Sequence, residues 1–175
     1  MWPLRFLLGF AVSGVWMTLP HAQAPQQQHG AEPMLTVAGW IEPVTFSDYG
    51  ITLEAKLDTG AVSSSLSVSD LERFKRKGKV WYRFTLRGDD GKTATVEQQT
   101  SRVARIMRAE VKDTRRPIVR LKVCVAGHVA ETDFTVTDRS GQQFSALIGR
   151  KFLASRILVD SGRKRVFARP CESGK

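Results

Sequence analysis

Apolar and polar residues alternate along much of the chain, which is the period of half-buried β-strands. In the clearest run, Ile51, Leu53, Ala55 and Leu57 fall on one face and polar residues fall on the other. The pattern predicts a mainly β protein. The predicted strands are Leu35–Phe46, Gly50–Leu57, Ser63–Val68, Val80–Arg87, Lys92–Gln98, Ile118–Val125, a strand from the turn Ala126-Gly127 to Val136, Ile157–Asp160 and Arg165–Ala168.

Turn and cap residues divide these strands. Asp89-Asp90-Gly91 predicts the turn of a β-hairpin, and Ser161-Gly162 predicts a turn between the last two strands. Ser69-Asp70-Leu71-Glu72 has the spacing of a capping box, so we expect a short helix from there to about Arg76. One or two short helices are therefore expected in a mainly β domain.

The two ends of the chain differ from the middle. Met1–Ala24 has a short positive start, an apolar core and a small-residue exit, and it predicts a signal peptide. We therefore expect a periplasmic or secreted protein, and the alternative is an uncleaved N-terminal membrane anchor. Residues 25–34 form a polar, Pro/Gln-rich flexible linker, residues 35–170 form one domain, and residues 171–175 form a tail. No membrane span is expected after cleavage.

The net charge is +10, and part of it is concentrated in one segment. Such a patch could steer an anionic substrate, nucleic acid or a membrane surface toward the protein, or be a merely solvated face. No motif supports nucleic-acid binding, since Trp40, Trp81 and Tyr82 fall at strand positions. Export permits a disulfide between Cys124 and Cys171, although Cys124 could equally be a small buried apolar residue. The basic segment comprises Arg102, Arg105, Arg108, Lys112, Arg115 and Arg116.

One acidic residue stands out chemically. Asp58 begins the sequence Asp58-Thr59-Gly60-Ala61 at the end of the clearest predicted strand. A carboxylate held there can activate a water if a second carboxylate shares one proton with it. The chain contains one such motif, so a second chain must supply the other carboxylate. A second signal, Ala146-Leu147-Ile148-Gly149-Arg150, follows about ninety residues later.

These two signals together resemble the retropepsin-like aspartic peptidases. The resemblance is closest to the bacterial family named ATP-dependent zinc proteases, often found beside RimK-type amino-acid ligases. The matching stretches cover most of the chain after about Gly39. They are Ala55–Leu66, Trp81–Leu86, Arg116–Val119 and Asp138–Asp160.

The resemblance implies a closed β-barrel or sandwich, equivalent to half of an acid protease. It implies a homodimeric endopeptidase in which Asp58 and its copy activate water, with Thr59, Gly60 and Ala61 forming the active-site loop. Leu147, Ile148, Gly149 and Arg150 would support that loop from behind. In the retroviral pattern an acidic residue pairs with the matching arginine. Val62 occupies that place here, so Arg150 must find another partner or stay exposed.

Alternative functions follow from the same resemblance. A non-catalytic peptide-binding module could keep the fold without the chemistry. A zinc protease would agree with the family's name, but the chain lacks the His-Glu-x-x-His motif and its histidines are His21, His29 and His128. We therefore expect no metal and no cofactor. The expected partner is a peptide or protein substrate, of which an acidic peptide is one candidate.

A substrate-covering flap is also expected from the resemblance. Two segments are candidates for it: the hairpin tip Gly88–Gly91 and the segment Gln98–Arg116. Sequence reasoning leaves the choice between them open.

Overall fold

The structure, a computed structural model, describes residues 34–100, 102–108, 111–138 and 143–167, and between 102 and 115 it describes the backbone alone. The predicted signal peptide, most of the linker, the tail and the side chains of most of the basic segment lie outside the described residues. All described residues belong to one compact unit. No helix among them is both long and apolar enough to cross a membrane.

The described residues form eleven strands, one short α-helix and one 3₁₀ turn. The fold is therefore mainly β, as the alternating pattern predicts. The elements are β1 Thr36–Phe46, the 3₁₀ turn Ser47–Tyr49, β2 Ile51–Asp58, β3 Ser64–Ser67, β4 Ser69–Arg76, β5 Lys79–Arg87, β6 Thr93–Gln99, β7 Arg102–Arg108, β8 Val111–Val125, β9 His128–Thr137, β10 Ala146–Gly149, α1 Arg150–Leu153 and β11 Ile157–Lys164.

Six strands close into a barrel in the order β1-β2-β10-β3-β9-β8, and β8 pairs with β1 to complete the circle. Strand β11 extends the sheet beside β1, and β7 extends it beside β8. A separate three-stranded sheet has the order β4-β5-β6. The expected closed β-barrel is confirmed.

The core lies inside the barrel and under the three-stranded sheet. The rings of Phe46 and Phe134 meet at 5.7 Å between centroids. Phe84, Leu86 and Val96 of the small sheet are fully buried in the same cluster. Because burying each such side chain contributes roughly 1.5–3 kcal/mol, this apolar face fixes the sheet on the barrel.

A buried carboxylate fastens the C-terminal segment to β1. Glu42 is fully buried, and its oxygens accept hydrogen bonds from the backbone N–H groups of Gly39, Val166 and Phe167 at 2.6–3.0 Å. Three donors offset the cost of burying the charge. Val166 and Phe167, which follow β11, therefore stay beside the barrel.

The predicted helix over Ser69–Arg76 is wrong, because these residues form strand β4. Asp70 adopts a left-handed conformation with φ 54° at an irregularity in the pairing with β5. Lys77 and Gly78 both have positive φ, 51° and 74°, as a type I′ hairpin turn requires. The cross-strand pairing with β5 outweighs the local capping signal.

The predicted turn at Ser161-Gly162 is also wrong, since β11 runs through it to Lys164. The pairing of β11 with β1 shifts at this point. Asp160 accepts hydrogen bonds from the Gly162 backbone at 2.8 Å and from Arg163 Nε at 2.6 Å. The polar cluster therefore marks a bulge within one strand, not a turn between two.

Cysteine pairing was open from the sequence. Cys124 is buried in β8 and is engaged in a disulfide. Cys171, the other cysteine of the sequence, lies outside the described residues.

Candidate active site

Strand β2 ends at the candidate catalytic residue. The side chain of Asp58 is 23% exposed, and its Oδ1 accepts a hydrogen bond from the Gly60 backbone N–H at 3.0 Å. The Ala61 N–H is bonded to the Asp58 carbonyl at 3.2 Å, which closes the turn. The loop therefore holds the carboxylate in one orientation and leaves part of it open to a substrate or water.

A lysine lies beside this carboxylate. Lys56 is two residues before Asp58 on β2, so the strand alternation puts both side chains on the face opposite the buried Leu57. Lys56 Nζ is 3.6 Å from Asp58 Oδ2, and the lysine side chain is 41% exposed. Lys56 was not predicted as a site residue from the sequence. The alternation along β2 could have indicated it, because residues two apart on a strand lie on the same face.

The second motif lies directly behind the loop. Strand β10 runs parallel to β2 and aligns Gly149 with Asp58. A Cβ on Gly149 would lie 2.6 Å from the carbonyl carbon of Ser63, a distance that side chains do not tolerate. The Gly149 N–H donates to the buried hydroxyl of Ser64 at 3.1 Å. Glycine is therefore the residue that lets the two backbones approach this closely.

Arg150 braces the same loop through main-chain carbonyls. Its Nη1 donates to the oxygens of Thr59 at 2.9 Å and Gly60 at 3.0 Å, and its own N–H donates to Ala61 at 2.9 Å. Val62, which replaces the acidic partner of the retroviral pattern, is 53% exposed. The arginine thus finds backbone partners where a carboxylate is missing.

The structure brings the two predicted motifs together. Thr59 and Gly60 are exposed at the front of the site and Ala61 is half-buried, while in β10 Ile148 is buried and Leu147 half-buried. This arrangement can present one aspartate on a braced loop. The catalytic and supporting roles assigned to these residues stay predictions.

The residues present do not fit a zinc ion. Among the described residues, no three histidine, cysteine or acidic side chains converge as metal ligands. His128 is the histidine within the described part of the chain, and its Nε2 lies 2.8 Å from the Thr36 hydroxyl.

One flap candidate is attached far from Asp58. At the tip Gly88–Gly91, the Asp89 N–H donates to the Thr52 carbonyl at 3.1 Å, and the Asp89 carboxylate accepts from the Glu54 N–H at 2.6 Å. Thr52 is six residues before Asp58 on β2, or about 20 Å at 3.3 Å per residue. This tip is therefore fastened along β2 and not to the Asp58 loop itself. The other candidate, Gln98–Arg116, lies largely outside the described side chains.

The fold and site define a retropepsin-like β-barrel protein with a single Asp-Thr-Gly loop. Residues 37–170 match the family described as retropepsin-like aspartic endopeptidase RimB. The chain belongs to this RimB-like family, so the resemblance found in the sequence is confirmed.

The chain is also similar to two named proteins and to one solved structure. Two proteins named probable alpha-L-glutamate ligase, from Shewanella halifaxensis and Shewanella pealeana, are 27% and 25% identical over 71% of this chain. The chain spans 28% of the length of each. A crystal structure of a Legionella pneumophila protein of unknown function has a TM-score of 0.63 and 26% identity, covering 75% of this chain and 97% of that one.

Proposed function

We propose that this protein is an exported, homodimeric aspartic endopeptidase in which each subunit contributes Asp58. The observation that carries the proposal is the partly exposed Asp58 carboxylate, oriented by the Gly60 N–H at 3.0 Å on a loop braced by Gly149 and Arg150. One chain supplies one such carboxylate. The site is complete only when two loops face each other.

In the proposed reaction, one ionised Asp58 accepts a proton from a water molecule bound between the two carboxylates. The water oxygen attacks the carbonyl carbon of the peptide bond, and the protonated Asp58 of the partner subunit donates to the carbonyl oxygen. The C–N bond then breaks, and the amine leaves with a proton from the aspartate pair. One proton is shared because two adjacent carboxylates do not both ionise readily.

The substrate class follows from charge and from the relatives' name. Lys56 places a cation 3.6 Å from the Asp58 carboxylate, and the longer relatives are named probable alpha-L-glutamate ligases. An acidic, glutamate-bearing peptide is therefore our proposed substrate.

The first prediction concerns Asp58→Asn. An amide cannot accept the proton of water, so we expect cleavage of a glutamate-rich peptide to fall by about 10³-fold or more, while circular dichroism and the melting temperature stay unchanged. Asp160→Asn is the matched control, because Asp160 is an aspartate at an exposed bulge, and it should keep full activity. Equal cleavage by wild type and Asp58→Asn would refute the assignment.

Mixing the two proteins tests whether two subunits share one site. At constant total protein, an equal mixture of wild type and Asp58→Asn should retain about one quarter of the activity if chains exchange freely between dimers. A monomeric enzyme would retain about one half. Sedimentation of the same samples reports the oligomeric state directly. Peptide binding without cleavage by wild type would instead assign a non-catalytic binding module.

A further inference from the structure

Lys56 lies beside the Asp58 carboxylate in a loose ion pair. The 3.6 Å between Lys56 Nζ and Asp58 Oδ2 is the longest ion-pair distance within the described part of the chain. At this distance the ammonium attracts the carboxylate without forming a hydrogen bond. The contact therefore leaves the three N–H donors of Lys56 open to another acceptor.

The strand neighbours of Lys56 do not compete for its charge. Glu54, two residues earlier on the same face of β2, accepts a hydrogen bond from Arg165 Nε. Across the strands, Lys56 is paired with Ile41 of β1 and with Leu147 of β10, and both are apolar. Because the lysine side chain is also 41% exposed, a carboxylate that arrives from solvent can reach it.

The two oxygens of the Asp58 carboxylate have different surroundings. Oδ1 accepts the hydrogen bond from the Gly60 N–H, whereas Oδ2 faces the lysine ammonium. A water molecule held by Oδ2 at a usual length of about 2.8 Å would lie no more than about 6.4 Å from Lys56 Nζ. An extended peptide advances by about 3.3 Å per residue. The ammonium is therefore within reach of the first two residues beside the peptide bond that this water attacks.

Two-fold symmetry would repeat this arrangement in the proposed dimer. The symmetry axis passes between the two Asp58 carboxylates, because each subunit presents the same surface to the other. The two Lys56 ammonium groups then lie on opposite sides of the axis, at equal distances from the shared water. A peptide that crosses the axis meets one ammonium on each side of the bond that is cleaved.

We infer that Lys56 and its copy in the second subunit select a substrate with an acidic side chain on each side of the cleaved bond. The inference rests on the proposed function for the dimer and for the bond that breaks, and it adds where the acidic residues of the substrate lie. Each substrate carboxylate accepts a charge-assisted hydrogen bond from one ammonium. Lys56 is specificity-determining, since it touches the substrate without touching the reacting bond. Arg150 is not a candidate for this role, because its guanidinium already donates to two loop carbonyls.

The test compares four eight-residue peptides with the same neutral central pair. They carry glutamate on both sides of that pair, on the N-terminal side alone, on the C-terminal side alone, or glutamine on both sides. We expect each lysine–glutamate contact to contribute about fivefold to kcat/KM, so the doubly acidic peptide should exceed either singly acidic peptide by that factor. Mass spectrometry of the products should place the cleaved bond midway between the two glutamates.

Variants of two lysines assign the preference to its residue. In Lys56→Gln, the ratios between the four peptides should fall below about twofold. Lys92→Gln is the matched control, because Lys92 pairs at 3.0 Å with Asp90, an aspartate that is also two residues away. Lys92 follows the tip that is fastened at Thr52. This control should keep the wild-type ratios.

Other outcomes separate the inference from the proposed function. A gain from glutamate on one side only, or an acidic preference that persists in Lys56→Gln, would overturn the two-sided selection. If wild type cleaves all four peptides equally, the proposed function stands and the inference fails. Fluorescence anisotropy with labelled forms of the same peptides measures binding to Asp58→Asn, where turnover does not interfere. If the peptides bind there in the expected order, lose that order in Asp58→Asn/Lys56→Gln and are never cleaved by wild type, the proposed function fails and the two-sided selection stands.

Discussion

The loop that carries Asp58 and the three-stranded sheet are built by different forces. Main-chain groups hold the loop. The Lys151 N–H donates to the Val62 carbonyl at 3.1 Å, and the backbone of Gly149 lies directly against that of Ser63. Charged side chains hold the outer face of the sheet, where Arg83 bridges Glu72 and Glu97. Backbone contacts fix positions within fractions of an ångström, whereas exposed ion pairs are weak and screened by salt. We therefore expect the stability of the loop to change little with salt and that of the outer face of the sheet to change with it.

Among the variants that test this difference, Gly149→Ala should have the largest effect on stability. Its Cβ would collide with the Ser63 backbone at 2.6 Å. Because paired strands hold both backbones in place, they cannot move apart without losing hydrogen bonds. We therefore expect a loss of about 3 kcal/mol in the free energy of unfolding. Gly162→Ala is the control, because its nearest neighbour is the Asp160 side chain at 3.3 Å. Urea denaturation measures both variants. A Gly149→Ala protein as stable as Gly162→Ala would show that main-chain contact does not govern the loop.

A smaller effect is expected from Arg150→Ala, which removes the charged side chain that braces the loop. Its two hydrogen bonds go to neutral carbonyls, so we expect a loss of about 1–2 kcal/mol that changes little with salt. Arg150→Lys keeps the positive charge but lacks the forked guanidinium group. It should therefore recover only part of the lost stability. Denaturation at low and high salt checks this. A loss of stability that vanishes at high salt would show that ionic attraction holds the loop, as it holds the outer face of the three-stranded sheet.

The smallest effect should come from Glu97→Gln in the three-stranded sheet. Hydrogen bonds from Arg83 and then Arg76 hold the pKa of Glu97 below its usual value. Its contribution to stability is therefore present above the unfolded pKa and is lost as pH falls through the folded one. We expect a slight destabilisation at neutral pH that disappears in acid and in about 1 M salt. Melting curves across pH and salt measure it, and a loss independent of both would contradict the ion-pair account.

Much of the barrel and of the site could be predicted from short-range patterns. The alternation in β2 placed Asp58 at the end of a strand, and two short motifs identified its surroundings across some ninety residues of sequence. The helix predicted at Ser69–Arg76 failed because a capping box is a local signal, while the hairpin depends on β5 and on the positive φ of Lys77 and Gly78.

The face on which Glu72 and Arg83 lie could not be known without the register of β4 against β5. Pairing between strands is a property of the folded chain, and one shifted residue would reverse the face.

The parallel pairing of β2 with β10 also decides when the Asp58 loop can be assembled during synthesis. Asp58 emerges early from the ribosome, but the strand that seats its loop is synthesised some ninety residues later. Contacts of such long range form late in folding. A partly synthesised or unfolded chain therefore lacks an assembled loop around Asp58.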